Sequence, residues 1–308
     1  MIEIINLTKH SNNKKIINDF SFSANKQECL GLFGENPTAK TTLLNLISGS
    51  TIPSSGYINI QGFNTKTHPL KAKKLIGYQL HRCVSHPTMS VKEFLDYIAA
   101  IRGLRGTEKN AQVEYAATRL ELFPVLNAPL DALSMGLKRK VAIAQAILHT
   151  PALLLLDEPT EGLASDQKYK LRSLIQSLTQ EMTVIVASRH CDELSEFCTR
   201  ALVIAGDRLV ADAPMPDLQR DSRHFQAVTL TADAPLDLLA LAVLPGVAGI
   251  EEHRHAPGTV TVLPMPGHTI YPHIHTLIAN RRWKINSLSL EPGRLSDVVH
   301  SLSRGAPL

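Results

Sequence analysis

The sequence is poor in cysteine and in aromatic residues. Its 308 residues include four cysteines and one tryptophan, and aromatic residues make up 5% of the total. No Cys-x-x-Cys pair occurs, and the cysteines lie largely in apolar stretches at Cys29, Cys83, Cys191 and Cys198. Such thiols are usual in a reducing compartment. A disulfide framework and a zinc site are therefore not expected.

Long apolar runs are also missing. A membrane-spanning helix needs about 20 consecutive apolar residues, and no stretch of this chain approaches that length. The N-terminus, residues 1–5, predicts a strand and not a signal peptide. The net charge of +4 is small and scattered, which argues against nucleic acid as a partner. We expect a cytoplasmic protein whose contact with a membrane comes through partner proteins.

A loop rich in polar residues separates a predicted strand from a predicted helix. Residues 29–33 are apolar and predict a buried strand, and residues 41–47 carry apolar side chains at helical spacing. The sequence of residues 34–42 is Gly-Glu-Asn-Pro-Thr-Ala-Lys-Thr-Thr. A loop in this position directs backbone N–H groups and a helix N-terminus at phosphate groups. It predicts a nucleotide-binding P-loop.

This loop departs from the usual G-x-x-x-x-G-K-[ST] pattern. It keeps Lys40 for the terminal phosphates and Thr41 for Mg²⁺, but Ala39 replaces the second glycine. Pro37 has no N–H to donate, and a Cβ at position 39 is costly if the backbone there is left-handed. Together the two changes predict binding weakened by about 10²–10³-fold.

Three further motifs follow in order. The first is residues 133–140, in which Ser134 is the predicted N-cap of a helix. In the second, four leucines at 153–156 predict a strand that is buried on both faces and followed by Asp157 and Glu158. Asp157 would lie beside the Mg²⁺, and Glu158 would act as general base on a water molecule. A third buried strand, from residue 184, leads to His190.

In this order and spacing, the motifs resemble the nucleotide-binding subunits of ABC transporters, and specifically the ATPases of ABC-2 type exporters. Walker A, signature, Walker B and switch histidine lie within residues 1 to about 212. The resemblance implies an α/β P-loop NTPase domain of the ABC type, which binds ATP and Mg²⁺. It also implies that two such domains sandwich ATP head to tail, and that separate membrane permease subunits are partners at the inner face of the cell membrane.

The resemblance assigns roles to individual residues. Nucleotide contacts fall on Gly34, Asn36, Thr38, Ala39, Lys40, Thr41, Thr42, Ser134 and Gly136. Catalytic roles fall on Glu158 and His190, and Mg²⁺ coordination falls on Thr41 and Asp157.

Other positions depart from the family. Ser11 stands where the family has an aromatic residue that stacks on adenine, and Ala164 stands where it has an aspartate. His81 replaces the glutamine or glutamate that contacts Mg²⁺, with Gln79 two residues earlier. Because magnesium prefers oxygen ligands, His81 is a poor metal ligand. The Walker side of the chain is thus more altered than its signature.

Three interpretations follow. The first is an ATP-binding exporter subunit whose own P-loop site is weakened, in a homodimer or in a heterodimer with a second ATPase. The second is a pseudo-ATPase that supports a competent partner. The third, a soluble ABC protein of translation or DNA repair, is disfavoured because one nucleotide domain is present and the segment between Lys40 and Ser134 is too short for a long coiled coil.

Within the nucleotide domain, a helical subdomain is predicted at about residues 82–140. Ser90 and Glu93 form a capping-box pattern at a helix start. Phe94, Leu95, Ile98 and Ile101 form an apolar stripe, which we interpret as core.

The remaining residues, 213–308, predict a second domain. Residues 213–216 resemble a linker, and the pattern beyond them is β-α-β-β-α-β, as in ferredoxin-like folds. The predicted strands and helices span 226–230, 236–241, 249–255, 259–263, 270–279 and 283–290. The resemblance implies a role in dimerisation or regulation.

The histidines of this second domain do not predict a metal site. His273 and His275 are two apart on a predicted helix and diverge by about 200°. His253 and His255 could share a strand face, but two ligands do not make a site.

Overall fold

The computed structural model describes residues 2–11, 14–81, 88–253 and 256–304. The chain divides into two compact units, Met1–Ala213 and Pro214–Leu308. Within the described ranges, none of the helices has the length and apolar character needed to cross a membrane.

The first unit contains two sheets. One is antiparallel with strand order β2-β1-β4-β5, and the other is six-stranded with order β10-β9-β3-β8-β7-β6. In the second sheet, β3 pairs in parallel with β8 and β9, and β7 pairs in parallel with β6 and β8. The strands are β1 (Ile2–Ser11), β2 (Lys14–Ala24), β3 (Cys29–Phe33), β4 (Ser55–Ile60), β5 (Phe63–Asn64), β6 (Ile76–Gln79), β7 (Leu153–Asp157), β8 (Thr183–Ala187), β9 (Arg200–Ala205) and β10 (Arg208–Pro214).

Helices accompany both sheets. They are α1 (Pro37–Ile47), α2 (Pro69–Lys74), α3 (Val91–Ile101), α4 (Gly106–Arg119), α5 (Met135–Ile147), α6 (Ser165–Thr179) and α7 (Cys191–Ser195). Every residue of β3, β7 and β8 is buried, as expected for parallel strands covered on both faces. Because parallel strands end at the same edge of a sheet, the segments that follow β3, β7 and β8 converge there.

The predicted helical subdomain begins among residues 82–87, which lie outside the described ranges. Ser90 caps α3, its Oγ accepts from Glu93 N at 3.2 Å, and the Glu93 carboxylate accepts from Ser90 N, so the capping box is confirmed. Phe94 and Leu95 are buried, but Ile101 is 63% exposed. The core interpretation is therefore wrong for Ile101, which lies in the last turn of α3.

The second unit has the predicted order of elements. Its antiparallel sheet runs β12-β13-β11-β14, the ferredoxin-like arrangement. The strands are β11 (Phe225–Ala232), β12 (Val247–Glu252), β13 (Thr259–Pro264) and β14 (Ile285–Pro292), and the helices are α8 (Met215–Arg220), α9 (Leu238–Ala242), α10 (Tyr271–Arg281) and α11 (Leu295–Ser303). Residues 213–216 are the end of β10 and the start of α8, and the division between the two units falls within them.

A buried histidine just before β11 contacts two elements of the second unit, α11 and β12. His224 is 1% exposed; its Nδ1 lies 2.6 Å from Asp297 Oδ2 in α11, and its Nε2 lies 2.9 Å from Glu251 Oε2 in β12. Ser222 donates to the same Asp297 oxygen at 2.7 Å. Both nitrogens can donate only when the ring is doubly protonated.

The histidines considered above as metal ligands lie in the second unit. His253 Nε2 lies 2.8 Å from Thr261 Oγ1, and His255 is outside the described residues. His273 and His275 are exposed on α10, where His275 stacks on Tyr271. In the described ranges, no group of three or more His, Cys, Asp or Glu side chains is placed to hold a metal ion.

The cysteines that the structure describes, Cys29, Cys191 and Cys198, have free thiols. Cys83 lies outside the described residues.

Candidate functional site

The P-loop begins directly after β3. Helix α1 starts at Pro37, whose fixed φ suits the first helical position. Asn36 is its N-cap, and the Asn36 Oδ1 accepts from Thr38 N at 3.0 Å and from Ala39 N at 3.4 Å. These two N–H groups are among those that a phosphate would use. Asn36 therefore occupies donors at the position expected for a phosphate.

Ala39 does not have the left-handed backbone that would make its Cβ costly. It lies within α1, is fully buried and has no positive φ. The expected cost of a left-handed backbone at position 39 is therefore absent, because the helix begins two residues earlier, at Pro37. Thr42 lies one turn further along α1 and is half-buried.

Gly34 is required at the start of the loop. Its φ is +148°, and a Cβ there would lie 2.4 Å from the carbonyl oxygen of Ile204 in β9. Any larger residue would force the loop away from the neighbouring strand.

Lys40 is buried, with 1% of its surface exposed. Its Nζ donates to Gly34 O at 3.0 Å and to Ser188 O at 2.8 Å, and it lies 3.6 Å from Glu158 Oε1. Burial lowers the pKa of Lys40, and the nearby Glu158 carboxylate opposes that shift. Lys40 thus connects the P-loop to the segments that follow β7 and β8.

Thr41 and Asp157 are in direct contact. Thr41 Oγ1 donates to Asp157 Oδ2 at 2.8 Å. Burial raises the pKa of Asp157, and the hydrogen bond from Thr41 opposes this. The pair offers two adjacent oxygens, the ligand type that Mg²⁺ prefers.

Glu158 is buried next to Lys40 and has a left-handed φ of +48°. Its N–H donates to Ala187 O at 2.9 Å, and its Oε2 accepts from Arg189 N at 3.2 Å. The Arg189 Nε lies 3.7 Å from Oε1, an oxygen that is buried without a hydrogen bond. Sequence reasoning missed Arg189, although its place beside the predicted switch histidine was a signal.

Gln79 hydrogen-bonds to the backbone of Asp157. Gln79 is fully buried; its Nε2 donates to Asp157 O at 3.3 Å and to Leu80 O, and its Oε1 has no hydrogen-bond partner. His81 lies in an exposed ion pair with Glu161, with 3.3 Å between Nδ1 and Oε2. Although histidine stands at position 81, the amide oxygen of Gln79 lies nearby without a hydrogen-bond partner.

The signature residues and the switch histidine have local contacts. Ser134 caps α5 and its Oγ accepts from Leu137 N at 3.4 Å. Gly136 packs against Gln167, and a Cβ there would lie 2.8 Å from Gln167 Oε1. His190 is exposed at the start of α7, and its N–H donates to Ser188 Oγ at 2.9 Å. The structure places Ser134, Gly136 and His190 outside the cluster formed by Lys40, Thr41, Asp157 and Glu158.

An open cleft of about 480 Å³ lies beside the P-loop. Its volume falls in the range of small-molecule sites. In place of an aromatic face it has cationic side chains, and it is lined by Lys14, Lys15, Ile16, Asn36, Thr38, Gly206 and Asp207.

Comparison with known proteins identifies the family. The family model described as "ABC transporter" matches residues 17–161. The chain is 32% identical over 211 residues to the ABC transporter ATP-binding protein NatA of Bacillus subtilis, covering 68% of this chain and 86% of NatA. It is 29% identical to the linearmycin resistance ATP-binding protein LnrL of the same organism, covering 71% of this chain and 70% of LnrL. The solved dimer of MJ0796, a bacterial ABC transporter cassette, shares the fold with a TM-score of 0.63 and 22% identity, over 70% of this chain and 99% of that one. The chain belongs to the ATP-binding proteins of ABC transporters, a family of P-loop ATPases.

Proposed function

We propose that the chain is the ATP-binding subunit of an ABC-2 type exporter. It would couple ATP binding and hydrolysis at a dimer interface to separate permease subunits, on the inner face of the cell membrane. The observation that carries this proposal is the contact of Thr41 with Asp157 beside Lys40, which joins the two Walker motifs at one point. The similarity to LnrL, named for linearmycin resistance, supports the export direction.

The described side chains fit Mg-ATP. Lys40 would hold the terminal phosphates, and Thr41 and Asp157 would hold the Mg²⁺, which supplies positive charge against the phosphates when bound. Glu158 has a buried oxygen without a hydrogen bond, and we propose that this oxygen accepts the proton of the attacking water. His190 would orient groups at the terminal phosphate. Ser134 and Gly136 would complete the site of the opposite subunit.

We also propose that the chain's own P-loop site binds weakly. Asn36 occupies the N–H groups of Thr38 and Ala39, and Pro37 has none to give. Lys40 is already bonded to two carbonyl oxygens. A nucleotide would therefore replace existing hydrogen bonds and would add few, and each bond to a charged group is worth only about 1.5–3 kcal/mol.

A pseudo-ATPase is the second candidate, and one observation favours it. Glu158 lies between two cations, with Lys40 at 3.6 Å and Arg189 at 3.7 Å from the same carboxylate oxygen. Two cations held against this oxygen would keep it from accepting the proton of a water molecule. In that case the chain would serve mainly as partner of a competent ATPase.

Two variants in the assembled complex test whether the signature of this chain matters more for ATP hydrolysis than its P-loop. Ser134→Arg obstructs the site of the opposite subunit, and Lys40→Ala damages a site that is already weak. In a heterodimer with an intact ATPase, Ser134→Arg should reduce ATP hydrolysis far more than Lys40→Ala. A larger loss from Lys40→Ala, or no loss from Ser134→Arg, would contradict the proposal.

A third variant separates the two candidates. If the chain's own site turns over, Glu158→Gln should suppress its share of hydrolysis and favour an ATP-bound closed dimer. Unchanged turnover in the presence of a competent partner would support the pseudo-ATPase. Co-purification with membrane permease subunits, measured on the same complex, tests the exporter assignment independently.

A further inference from the structure

The segment after β8 contacts both Lys40 and Glu158. The Ser188 carbonyl accepts from Lys40 Nζ at 2.8 Å, and the Arg189 N–H donates to Glu158 Oε2 at 3.2 Å. The Arg189 side chain returns to the same carboxylate, with its Nε 3.7 Å from Oε1. One dipeptide therefore contacts the proposed phosphate-binding lysine and the proposed base.

The two cations differ in their freedom to move. Lys40 Nζ and Arg189 Nε lie 3.6 Å and 3.7 Å from the same oxygen of Glu158. The Lys40 side chain is 1% exposed and has two carbonyl partners, whereas the Arg189 side chain is 52% exposed. Arg189 can therefore turn toward a ligand beside Lys40, giving up its contact with Glu158 Oε1.

While no ligand is bound, the positive charge of Arg189 lies close to that of Lys40. Two positive charges, on Lys40 and Arg189, face one oxygen of the Glu158 carboxylate and repel each other. A phosphate group placed at Lys40 adds negative charge at this point. It would relieve the repulsion and attract the guanidinium, which matches phosphate oxygens in a bidentate geometry.

We propose that Arg189 is a ligand for the terminal phosphate of a bound nucleoside triphosphate, and that it pairs with Glu158 only while that phosphate is absent. The proposal rests on the nucleotide-binding function proposed above. Moving the guanidinium to the phosphate supplies a cation where Pro37 and Asn36 have removed backbone donors. It also leaves Glu158 free of one of its two cations, so that the base becomes available when a triphosphate is present.

This assignment predicts selectivity between triphosphate and diphosphate. A nucleoside diphosphate lacks the group that Arg189 would bind, so Arg189 should stay with Glu158. A residue that only supported the loop would affect both nucleotides equally. The ratio of the two affinities is therefore the informative quantity.

The experiment measures binding of a non-hydrolysable ATP analogue and of ADP, each with Mg²⁺, by calorimetry on the full-length chain. Arg189→Ala should weaken binding of the analogue by roughly 10- to 100-fold, the worth of one charge-assisted contact. Binding of ADP should change by less than about threefold, a difference well below one such contact. Arg189→Lys, which keeps the charge, should fall between wild type and Arg189→Ala.

Arg172→Ala is the matched control. Arg172 also pairs with a glutamate, Glu196, at 2.6 Å, but it lies in α6 and lines none of the site described above. It should change neither affinity. Thermal melts of all variants would show that each is folded.

Three results would count against the inference. Equal changes in both affinities would make Arg189 a structural residue, and tighter binding of the analogue to Arg189→Ala would make it an inhibitor of the site. With either of these results wild type would still bind both nucleotides, so the inference alone would fail. If wild type bound neither nucleotide, the proposed function would fail as well.

Discussion

Asn36 offers a direct test of the idea that the P-loop blocks its own phosphate donors. Its Oδ1 accepts from Thr38 N and Ala39 N in the nucleotide-free chain. Because a bound phosphate needs those donors, the cap and the ligand compete. Replacing Asn36 by alanine removes the cap and leaves the N–H groups available. The variant should therefore be less stable and should bind Mg-ATP more tightly.

The two effects should have the same size. Loss of an asparagine N-cap costs about 1 kcal/mol, within a range of about 0.5–2 kcal/mol. If the phosphate replaces the cap completely, the bound state loses nothing on mutation, and the full cost appears as a gain in affinity. At 1.4 kcal/mol per tenfold, Asn36→Ala should bind Mg-ATP about fivefold more tightly.

The assay combines calorimetric titration with denaturant unfolding, without and with saturating nucleotide. Ser90→Ala is the matched control, since Ser90 caps α3 through the same kind of bond, from Glu93 N at 3.2 Å. It should lower the free energy of unfolding by a similar amount without changing affinity. Ala39→Gly is a second control: Ala39 is helical, so the change should cost about 0.5–1 kcal/mol of stability and give no gain in affinity.

A fall in affinity on Asn36→Ala would refute the reasoning, because it would mean that the Asn36 side chain contributes a net favourable contact to the nucleotide. An unchanged affinity together with the expected loss of stability would show that cap and phosphate do not compete. A gain in affinity from Ala39→Gly would restore the backbone-strain explanation that the helical conformation of Ala39 contradicts.

Two further predictions concern stability. Gly34→Ala should destabilise the first unit by several kcal/mol, because its Cβ would meet a backbone oxygen at 2.4 Å. Gly62 has nothing within 4 Å of a Cβ, so Gly62→Ala should cost only about 1 kcal/mol for its positive φ. Equal losses of stability in denaturant melts would contradict this prediction. In the second unit, burial raises the pKa values of Glu251 and Asp297, but the surrounding hydrogen bonds and positive charges, those of His224 first among them, together lower them by more. Carboxyl groups with lowered pKa values stabilise the fold above their unfolded values and lose that contribution as the pH falls below about 4. His224→Ala should therefore cost about 1–3 kcal/mol near neutral pH and less in acid; a pH-independent loss in melts from about pH 7 to about pH 3 would argue against the charged cluster.

Much of the fold could be predicted because its signals are local. The four leucines before Asp157 predict a buried parallel strand, and the alternation of apolar residues after Phe225 predicts the antiparallel sheet. The conformation of Ala39 could not be predicted in the same way, because the family pattern indicates which residue is usual at a position and not where a helix starts. The helix starts at Pro37, so Ala39 has a helical backbone and carries no left-handed strain.

The candidate site was predicted in its motifs and missed in its cross-contacts. Lys40, Thr41, Asp157 and Glu158 are recognisable by spacing, and the structure brings them together. Arg189 was missed because its ion pair with Glu158 joins the ends of two neighbouring strands, a contact that no spacing along the chain encodes. The buried position of Gln79 was missed for the same reason, since it depends on the pairing of β6 with β7.

The burial of Lys40 determines how the site should respond to ionic strength. An exposed ammonium group interacts with dissolved ions, and its attraction for a phosphate weakens as the salt concentration rises. Lys40 lost its water on folding, and backbone carbonyls hold it in the nucleotide-free chain. Its attraction for a phosphate should therefore be nearly independent of salt. The salt dependence of nucleotide affinity should instead report the exposed cations, Arg189 beside Glu158 and Lys14 and Lys15 in the cleft. A titration series in increasing salt thus separates the contribution of the buried lysine from that of the surface around it.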